Sequence, residues 1–427
     1  MPFSRPKVLM IIGGALVLLL LAIWIYLLFF RTGPAGEDRF ADIDFANLGG
    51  LGEGTDPDAR PSAGNPPNGG AGADSASSNV AGSGSGTETE PEQPRVALTD
   101  EPLQQLTTGP VVGFREITRS TSTAPTLLYM EAGTGHIYAI DMQTGALTRR
   151  SNTTIPNIQA AQFSADGTYV AGIIGDTREH LAFTARLDGT EQKLELTYLD
   201  DGVLEYAVPG TTELLYTTRS REGTTAKARD LATGDTRDLF FTPIRSLAIA
   251  WGESGGDTHY FHPRPSRRLE GFVAAVDGGT IRRLPIDGFG LTAVPTESGI
   301  LYSYQTNEGV YGSRFLPAGE SESRSTGGFA LPQKCIPSSG EPDLVWCALE
   351  LDEFKRKLPD DWYSGELVFT DTLYAIDTTR GSARRLFNLS DESGRTIDAV
   401  DLTANEAETA LYFRNKLDNT LWYYDLR

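Results

Sequence analysis

The chain has 427 residues, a formal net charge of −20 and a sequence pI near 4.7. This acidity argues against nucleic-acid binding, because binding to a phosphate backbone needs a basic surface that displaces counterions. Two cysteines, Cys335 and Cys347, exclude a four-cysteine metal site and a disulfide-dense small scaffold. Residues 1–94 lack the composition of a globular domain, so we expect one large folded domain after them.

Residues 8–30 form an uncharged, mostly apolar stretch of 23 residues that follows a polar tip at residues 1–7. As a helix this stretch would extend about 34 Å, which is enough to cross a hydrocarbon core of about 30 Å. Arg5 and Lys7 precede it, so the positive-inside rule places the tip in the cytoplasm and the following chain outside. We therefore expect a single-pass signal anchor in the cell membrane. The alternative is a signal peptide that is cleaved near residues 33–35.

Residues 31–99 form a linker rich in Gly, Pro, Ser and acidic residues, as in residues 64–70 and 82–86. These residues offer too little apolar surface to offset the conformational entropy that folding would cost. We therefore expect a disordered tether with an r.m.s. span of about 40–45 Å. A tether of this reach would hold the following domain clear of the bilayer.

From residue 100 to residue 427, strand-length segments rich in Val, Ile, Tyr, Phe and Thr alternate with Gly, Asp and Pro turns. One type of strand ends in the pattern apolar-Asp-x-x-x-Gly, and residues 138–141 and 374–377 are near duplicates of it. Weaker copies occur at residues 184–188, 228–231, 273–277, 311–316 and 422–425. Their mean spacing of about 47 residues is the period of a four-stranded propeller blade. The repeat therefore predicts an all-β fold, a seven-bladed β-propeller.

The last copy ends the chain one strand short of a complete blade. Residues 103–107 precede the first strand of the first copy and resemble the fourth strands of other blades. We expect them to pair with residues 421–425 and close the ring, which would remove free strand edges that invite aggregation. The predicted junction residues are Leu103, Leu106, Leu421 and Tyr423.

The turn Phe163-Ser164-Ala165-Asp166-Gly167 is similar to the aromatic-Ser-Pro-Asp-Gly turn of WD-repeat-like and TolB-type β-propellers, with Ala165 in place of the proline. Residues 335–376 also resemble uncharacterised membrane-anchored bacterial propeller proteins. The resemblance covers residues 100–427 and implies a propeller fold. It implies neither a ligand nor an activity.

Residues 252–256, Gly-Glu-Ser-Gly-Gly, match the Gly-x-Ser-x-Gly pattern of serine hydrolases. That pattern works on a turn from a strand into a helix, whereas the repeat places these residues between two strands. His259 and His262 are three residues apart, which puts them on opposite faces of a strand rather than on one metal ion. We therefore predict no catalytic residue, no metal ligand and no cofactor.

Cys335 and Cys347 bracket a predicted hairpin, so their side chains would lie on neighbouring strands. In an oxidising compartment outside the cytoplasm we expect them to form a disulfide, and the alternative is two buried thiols. The bond would crosslink two strands of the repeat that carries the largest insertion.

That insertion, residues 350–369, lies between a second and a third strand and is longer than the equivalent loops. In a propeller such loops share a face with the connections between blades, and this face commonly binds ligands. The basic and aromatic residues predicted there are Arg219, Arg221, Arg264, Arg267, Arg268, Lys355, Arg356, Lys357, Trp362 and Tyr363. The hypothesis is that they bind an envelope protein or an anionic polymer. The alternative is ordinary solvated loops, because neighbouring acidic residues dilute the positive charge.

The sequence favours a membrane-anchored, extracytoplasmic scaffold that binds a protein or a polymer of the cell envelope. One alternative is a hydrolase or lyase that acts on an envelope polymer with a site in the central channel. The other is a structural subunit or spacer of a surface assembly. None of the three uses nucleic acid as a partner.

Overall fold

The computed structural model describes residues 94–117, 124–175, 180–187, 192–200, 202–252, 256, 258–306, 309–326, 331–350 and 358–427. The predicted cytoplasmic tip, the predicted transmembrane helix and most of the predicted linker lie outside these residues. Within the described part of the chain, no helix is long and apolar enough to cross a membrane.

The described residues are mostly β-structure, with 27 strands and only short helices. The strands are β1 (Leu103–Gln105), β2 (Val111–Ile117), β3 (Thr126–Glu131), β4 (Ile137–Asp141), β5 (Leu147–Arg149), β6 (Ile158–Phe163), β7 (Tyr169–Gly175), β8 (His180–Arg186), β9 (Thr197–Tyr198), β10 (Val203–Ala207), β11 (Glu213–Arg219), β12 (Thr224–Asp230), β13 (Thr236–Thr242), β14 (Leu247–Ala250), β15 (Thr258–Pro263), β16 (Glu270–Asp277), β17 (Thr280–Thr296), β18 (Gly299–Gln305), β19 (Tyr311–Pro317), β20 (Arg324–Ser325), β21 (Cys335–Pro337), β22 (Leu344–Leu349), β23 (Thr372–Asp377), β24 (Ser382–Asn388), β25 (Ala399–Ala404), β26 (Ala410–Asn415) and β27 (Leu421–Asp425). The helices are a 3-10 helix (Pro332–Lys334), α1 (Asp360–Tyr363) and α2 (Leu389–Ser393).

The strands pair antiparallel in five four-stranded sheets and one seven-stranded sheet. Four sheets are meanders of consecutive strands, namely β2 to β5, β6 to β9, β10 to β13 and β21 to β24. The fifth has the order β1-β27-β26-β25. A repeated four-stranded antiparallel meander is the building unit of a β-propeller.

The seven-stranded sheet consists of two such units that share β17. The first part of β17 pairs with β16 as far as Phe289, and the rest pairs with β18. Gly288 and Gly290 flank this residue with φ of 153° and 61°, which are backbone conformations that favour glycine. The chain therefore passes from one unit to the next through a glycine bend instead of a separate loop.

The turn between the third and fourth strands is fixed by an aspartate and a glycine. Oδ1 of Asp141 accepts hydrogen bonds of 2.9 and 2.8 Å from the backbone N–H groups two and three residues later. Gly145, four residues after the aspartate, has φ of 70°. Asp230 and Gly234 repeat this arrangement, with the glycine φ at 83°. The pattern apolar-Asp-x-x-x-Gly therefore marks a turn in which the aspartate caps the backbone and the glycine takes the positive φ.

Hydrophobic clusters lie between consecutive units and link them in chain order. In the first of these clusters, Leu128 of one unit packs with Phe163 of the next. A further cluster joins Leu127 of the first sheet to Tyr412 and Leu421 of the last sheet. The sheets therefore surround a central axis, and the predicted all-β propeller fold is confirmed.

The N-terminal described residues tie the first and last sheets together. β1 pairs with β27 along its length, and these strands lie in the two segments that were predicted to pair and close the ring. The Leu106 N–H donates to the carbonyl of Leu421 at 2.8 Å. Before β1, the Val96 N–H donates to the carbonyl of Gly145 at 2.8 Å, in the turn between β4 and β5. One short stretch of chain thus contacts both sides of the junction.

Candidate functional site

A cavity of about 700 Å³ lies between the first strands of several sheets. The first strands β2, β6 and β25, which belong to three consecutive sheets, form most of its lining, and β10, β21 and β26 contribute further residues. The lining residues are 112–116, 160–163, 165, 206, 336, 401, 403–406, 412 and 414. They include Ala165, Asn405 and Glu406, which lie in turns between first and second strands. The cavity therefore reaches the face of the ring that these turns form, which we call the turn face.

Arg414 is fully engaged in the wall of the cavity. Its Nε donates to Oδ2 of Asp401 at 2.6 Å, and its Nη2 lies 2.5 Å from the same oxygen. Its Nη1 donates to the carbonyl of Val111 at 3.0 Å and to Oδ1 of Asn419 at 3.2 Å. Asp401 has φ of 53° within a bulge of β25. This ion pair belongs to the last sheet, and the bond to Val111 attaches it to the first sheet.

Glu116 also lines the cavity and accepts a hydrogen bond from the Tyr412 hydroxyl. Burial raises the pKa of the Glu116 carboxyl, while hydrogen bonds from Tyr412 and Asn405 act in the opposite direction. Burial and the neighbouring Glu116 carboxylate together raise the pKa of the Tyr412 phenol. The phenol therefore stays protonated at neutral pH and remains a hydrogen-bond donor to Glu116.

Arg115 precedes Glu116 in β2, and successive side chains of a strand point to opposite sides. Glu116 therefore reaches the last sheet, and Arg115 reaches the second and third units. Nη1 of Arg115 donates to the carbonyls of Phe163 at 3.0 Å and Val208 at 2.8 Å. Burial lowers the pKa of the guanidinium, and the Asp166 charge opposes this effect. No carboxylate forms an ion pair with Arg115 among the residues that the structure describes.

The insertion between β22 and β23 lies on the opposite side of the ring from the turn face. Trp362 of α1 is 1% exposed and packs with Tyr311, which begins β19, and with Val400 of β25. Oδ2 of Asp360 accepts a hydrogen bond of 2.7 Å from the Arg267 N–H, in the loop between β15 and β16. The described part of the insertion therefore bridges loops and strands of several units.

A buried cluster of two lysines and two aspartates fixes the insertion, and we call it the charge cluster (Lys334, Asp371, Asp398 and Lys416). Nζ of Lys334 lies 2.7 Å from Oδ2 of Asp371 and also contacts Asp398. Oδ2 of Asp398 accepts hydrogen bonds from Trp362 Nε1 at 3.0 Å and from a backbone N–H of the insertion at 3.1 Å. Lys416 donates to the Trp362 carbonyl, and its Nζ lies 4.6 Å from the Trp362 ring centroid.

The charge cluster is electrically balanced but costly to bury. Burial raises the pKa of Asp371 to about 7, against the attraction of Lys334. Burial lowers the pKa of Lys416 to about 8, against the attraction of Asp398. For Lys334, burial lowers the pKa, but the attraction of Asp371 and Asp398 outweighs it and the net shift is upward. Each charge therefore depends on its partners to remain buried.

The prediction that Trp362 and Tyr363 of the insertion belong to a partner-binding face is wrong. Trp362 is 1% and Tyr363 5% exposed, because both side chains fill the hydrophobic cluster beneath the insertion. Arg264 is also buried, and its Nη2 lies 3.1 Å from Oε1 of Glu205. A face made of these three residues is therefore closed to a partner.

Four of the other basic residues of the predicted face are described by the structure. Arg221 and Arg268 are exposed, whereas Arg219 and Arg267 are half-buried. Lys355, Arg356 and Lys357 lie outside the described residues.

The predicted disulfide is confirmed. Cys335 and Cys347 lie directly opposite each other in β21 and β22, with an S–S distance of 2.08 Å and a Cα–Cα distance of 4.1 Å. His259 and His262 are both buried, and Nδ1 of His259 accepts a hydrogen bond of 3.1 Å from the Gly252 N–H. Most of the Gly-x-Ser-x-Gly match, including Ser254, lies outside the described residues. Within the described chain, no group of three His, Cys, Asp or Glu side chains is arranged to hold a metal ion.

The sequence does not single out the cavity residues Arg115, Glu116 and Tyr412. A usable signal exists in β2, whose sequence Val-Val-Gly-Phe-Arg-Glu-Ile places two adjacent charges inside an apolar strand. Because a first strand adjoins the central axis of a propeller, such charges indicate a polar lining.

No family model and no curated protein matches the chain. An oligogalacturonate lyase in complex with manganese has 12% identity and a TM-score of 0.47, covering 74% of this chain and 97% of its own. An oligogalacturonate lyase from Vibrio parahaemolyticus has 12% identity and a TM-score of 0.48, covering 75% and 99%. The β-propeller domain of the Trilobed protease from Pyrococcus furiosus has 11% identity and a TM-score of 0.47, covering 73% and 94%. Similarity at this level assigns neither a family nor a function to the chain.

Proposed function

We propose that the protein is a seven-bladed β-propeller, held outside the cytoplasm by an N-terminal membrane anchor, that acts as a binding module of the cell envelope. The sheet order supports the blade number, because five four-stranded sheets and two units sharing β17 add up to seven. The last of these blades takes its outer strand from β1.

Two features support the location. The uncharged residues 8–30 have the length and polarity of a membrane-spanning helix, with basic residues on the N-terminal side. The bond between Cys335 and Cys347 suits an oxidising compartment, where disulfides form and persist. Both features favour a propeller that is tethered on the outer side of the membrane.

The cavity is the observation that carries the binding function. Its volume of about 700 Å³ falls in the range of ligand pockets, and it combines apolar wall residues with a few polar groups. The cavity reaches the turn face, while the insertion lies on the other side of the ring. A partner of the envelope, either a protein segment or a polymer end, would therefore enter from the turn face.

Photo-crosslinking from inside the cavity tests this proposal. A crosslinking amino acid at Phe114, which lines the cavity, should capture a discrete envelope component when the full-length chain is in its membrane. The same amino acid at Ile281, which is 40% exposed and lies outside the cavity, serves as the matched control. If position 114 yields no adduct that position 281 lacks, the cavity is not the binding site.

A second candidate is an enzyme that uses the same cavity, and Glu116 is the residue that favours it. A carboxyl whose pKa is raised by burial, placed in a cavity beside a phenol, has the properties of a general acid or base. The test is product release from soluble envelope polysaccharides and peptides, followed by mass spectrometry. Activity that is lost in Glu116→Gln but kept in Glu297→Gln, an exposed residue outside the cavity, would favour the enzyme. An inactive wild type would contradict it.

A further inference from the structure

The cavity contains two arginines that differ in how much of each guanidinium is in use. Arg414 commits all three of its nitrogens, to Asp401, Val111 and Asn419. Arg115 commits only Nη1, whose two hydrogens serve the carbonyls of Phe163 and Val208. The Nε and Nη2 hydrogens of Arg115 have no acceptor among the residues that the structure describes. Arg115 therefore keeps donors that the protein does not use.

The unused donors form one edge of the guanidinium. The hydrogen on Nε and one hydrogen on Nη2 are parallel and match the two oxygens of a carboxylate, which is the side-on form of the arginine–carboxylate pair. The two carbonyl contacts on Nη1 fix the plane of the group from the opposite edge. An arginine held in this way loses little freedom when a ligand binds.

The carboxylate whose charge acts on Arg115 is already engaged in hydrogen bonds. Asp166 acts on the Arg115 charge, but its oxygens accept hydrogen bonds from Ser164 Oγ at 2.7 Å and Thr168 Oγ1 at 2.6 Å. A third hydrogen bond comes from the Thr168 N–H at 3.0 Å. Asp166 therefore stabilises its own turn, and the Nε and Nη2 donors of Arg115 stay available to a ligand.

The other charges of the cavity limit the charge of that ligand. Asp401 is neutralised by Arg414, Glu116 is bonded to Tyr412, and Glu406 is exposed at the turn face, where solvent screens it. The Glu116 carboxyl, bonded only to a neutral phenol, and the Asp166 charge offset part of the Arg115 charge, so a single negative charge suits the site better than a phosphate, which carries more. We propose, as an inference that rests on the proposed binding function, that the cavity holds a ligand with one carboxylate. The Arg115 guanidinium binds this carboxylate side-on.

Calorimetric titration of the full-length protein in detergent tests the proposal with matched pairs of probes. Glucuronate against glucose represents acidic sugars, and glutamate against glutamine represents acidic peptide units. At least one acid should bind with a Kd below about 10 mM, and its neutral partner should bind at least about tenfold more weakly. No binding by either acid, equal binding of acid and neutral partner, or preferential binding of inorganic phosphate would overturn the proposal.

Substitutions then test whether Arg115 is the receptor. Arg115→Gln should weaken acid binding by about tenfold or more. Arg115→Lys should not restore the affinity, because lysine keeps the positive charge but lacks the two parallel N–H donors of the guanidinium. Arg282→Gln, at an exposed position on β17 outside the cavity, should leave the affinity unchanged. Unchanged affinity in Arg115→Gln would overturn the assignment.

A measurement on the wild type covers the case in which Arg115→Gln fails to fold. Phenylglyoxal modifies arginines, and mass spectrometry reads the adduct on each residue. The bound acid should lower the adduct on Arg115 and leave the adduct on Arg282 unchanged, and equal labelling of Arg115 with and without acid would contradict the proposal. If crosslinking from Phe114 succeeds while these acids fail, the cavity binds a partner and only the carboxylate assignment is wrong.

Discussion

Replacing Lys334 with methionine tests the role of the charge cluster. The lysine is 1% exposed, and its Nζ contacts Asp398, Oδ2 of Asp371 at 2.7 Å and the Ala399 carbonyl at 2.8 Å. Methionine fills most of the space but leaves two buried carboxylates with Lys416 as their remaining cation. Oδ1 of Asp371 already lacks a hydrogen-bond partner among the described residues. Breaking a buried pair in this way costs about 3–5 kcal/mol of folding free energy.

Urea denaturation followed by tryptophan fluorescence measures this loss, since Trp362 lies against the cluster. Arg324→Met is the matched control, because Arg324 pairs with Glu320 at the same 2.7 Å but both side chains are close to half exposed, at 48% and 46%. An exposed pair contributes about 0–1 kcal/mol, so the control should unfold close to the wild type. Equal losses in the two variants would refute the claim that the buried charges hold the insertion in place.

Three further predictions concern the pH dependence, the ring junction and the cavity. The folded-state pKa of Asp371 is raised to about 7, so between about pH 4 and about pH 7 the folded chain keeps a proton that the unfolded chain has released. The free energy of unfolding therefore falls as pH rises over this range. Asp371→Asn should flatten that fall in denaturation curves measured at several pH values, and an unchanged slope would contradict the shift. Leu106→Ala, at a 4% exposed position in the junction, should cost about 2–5 kcal/mol, whereas Leu417→Ala, at 49% exposure, should change stability by less than about 0.5 kcal/mol. Tyr412→Phe removes a hydrogen bond that lowers the pKa of Glu116, so that pKa should rise further in a carbon-13 NMR titration of the carboxyl, and no change would refute the contact.

The strands follow from local signals in the sequence. The Asp-x-x-x-Gly pattern at Asp141 and Asp377 works because the aspartate caps its own turn and the glycine takes a positive φ. The disulfide follows from two cysteines on a short hairpin, where neighbouring strands bring side chains together. These features depend on residues close in sequence, so composition and spacing are sufficient to predict them.

The burial of the insertion depends on distant residues. Trp362 contacts Asp398, which is 36 residues away, and Lys416, which is 54 residues away. Nothing within residues 350–369 shows that these partners exist, so a mixture of charges and aromatics suggests a surface. Long-range pairing in the ring therefore decides which aromatic side chains are exposed.

The sequence does not predict the cavity, for a related reason. Arg115 and Glu116 point to opposite sides of β2, and only the closed ring places the next blade on one side and the last blade on the other. Their roles follow from the geometry of closure and not from spacing in the sequence. The pair of charges in an apolar first strand is the feature to look for in similar repeats.

Filling the cavity is the most direct test of its role as the binding site. Thr403 is exposed, lies in β25 and lines the cavity, so Thr403→Trp adds bulk there without entering the hydrophobic core, and strands accept tryptophan well. Crosslinking from Phe114 should then lose its discrete adduct while the melting curve of the protein stays close to that of the wild type. If the Thr403→Trp variant forms the same adduct at the same yield, the partner binds elsewhere and the central claim is wrong.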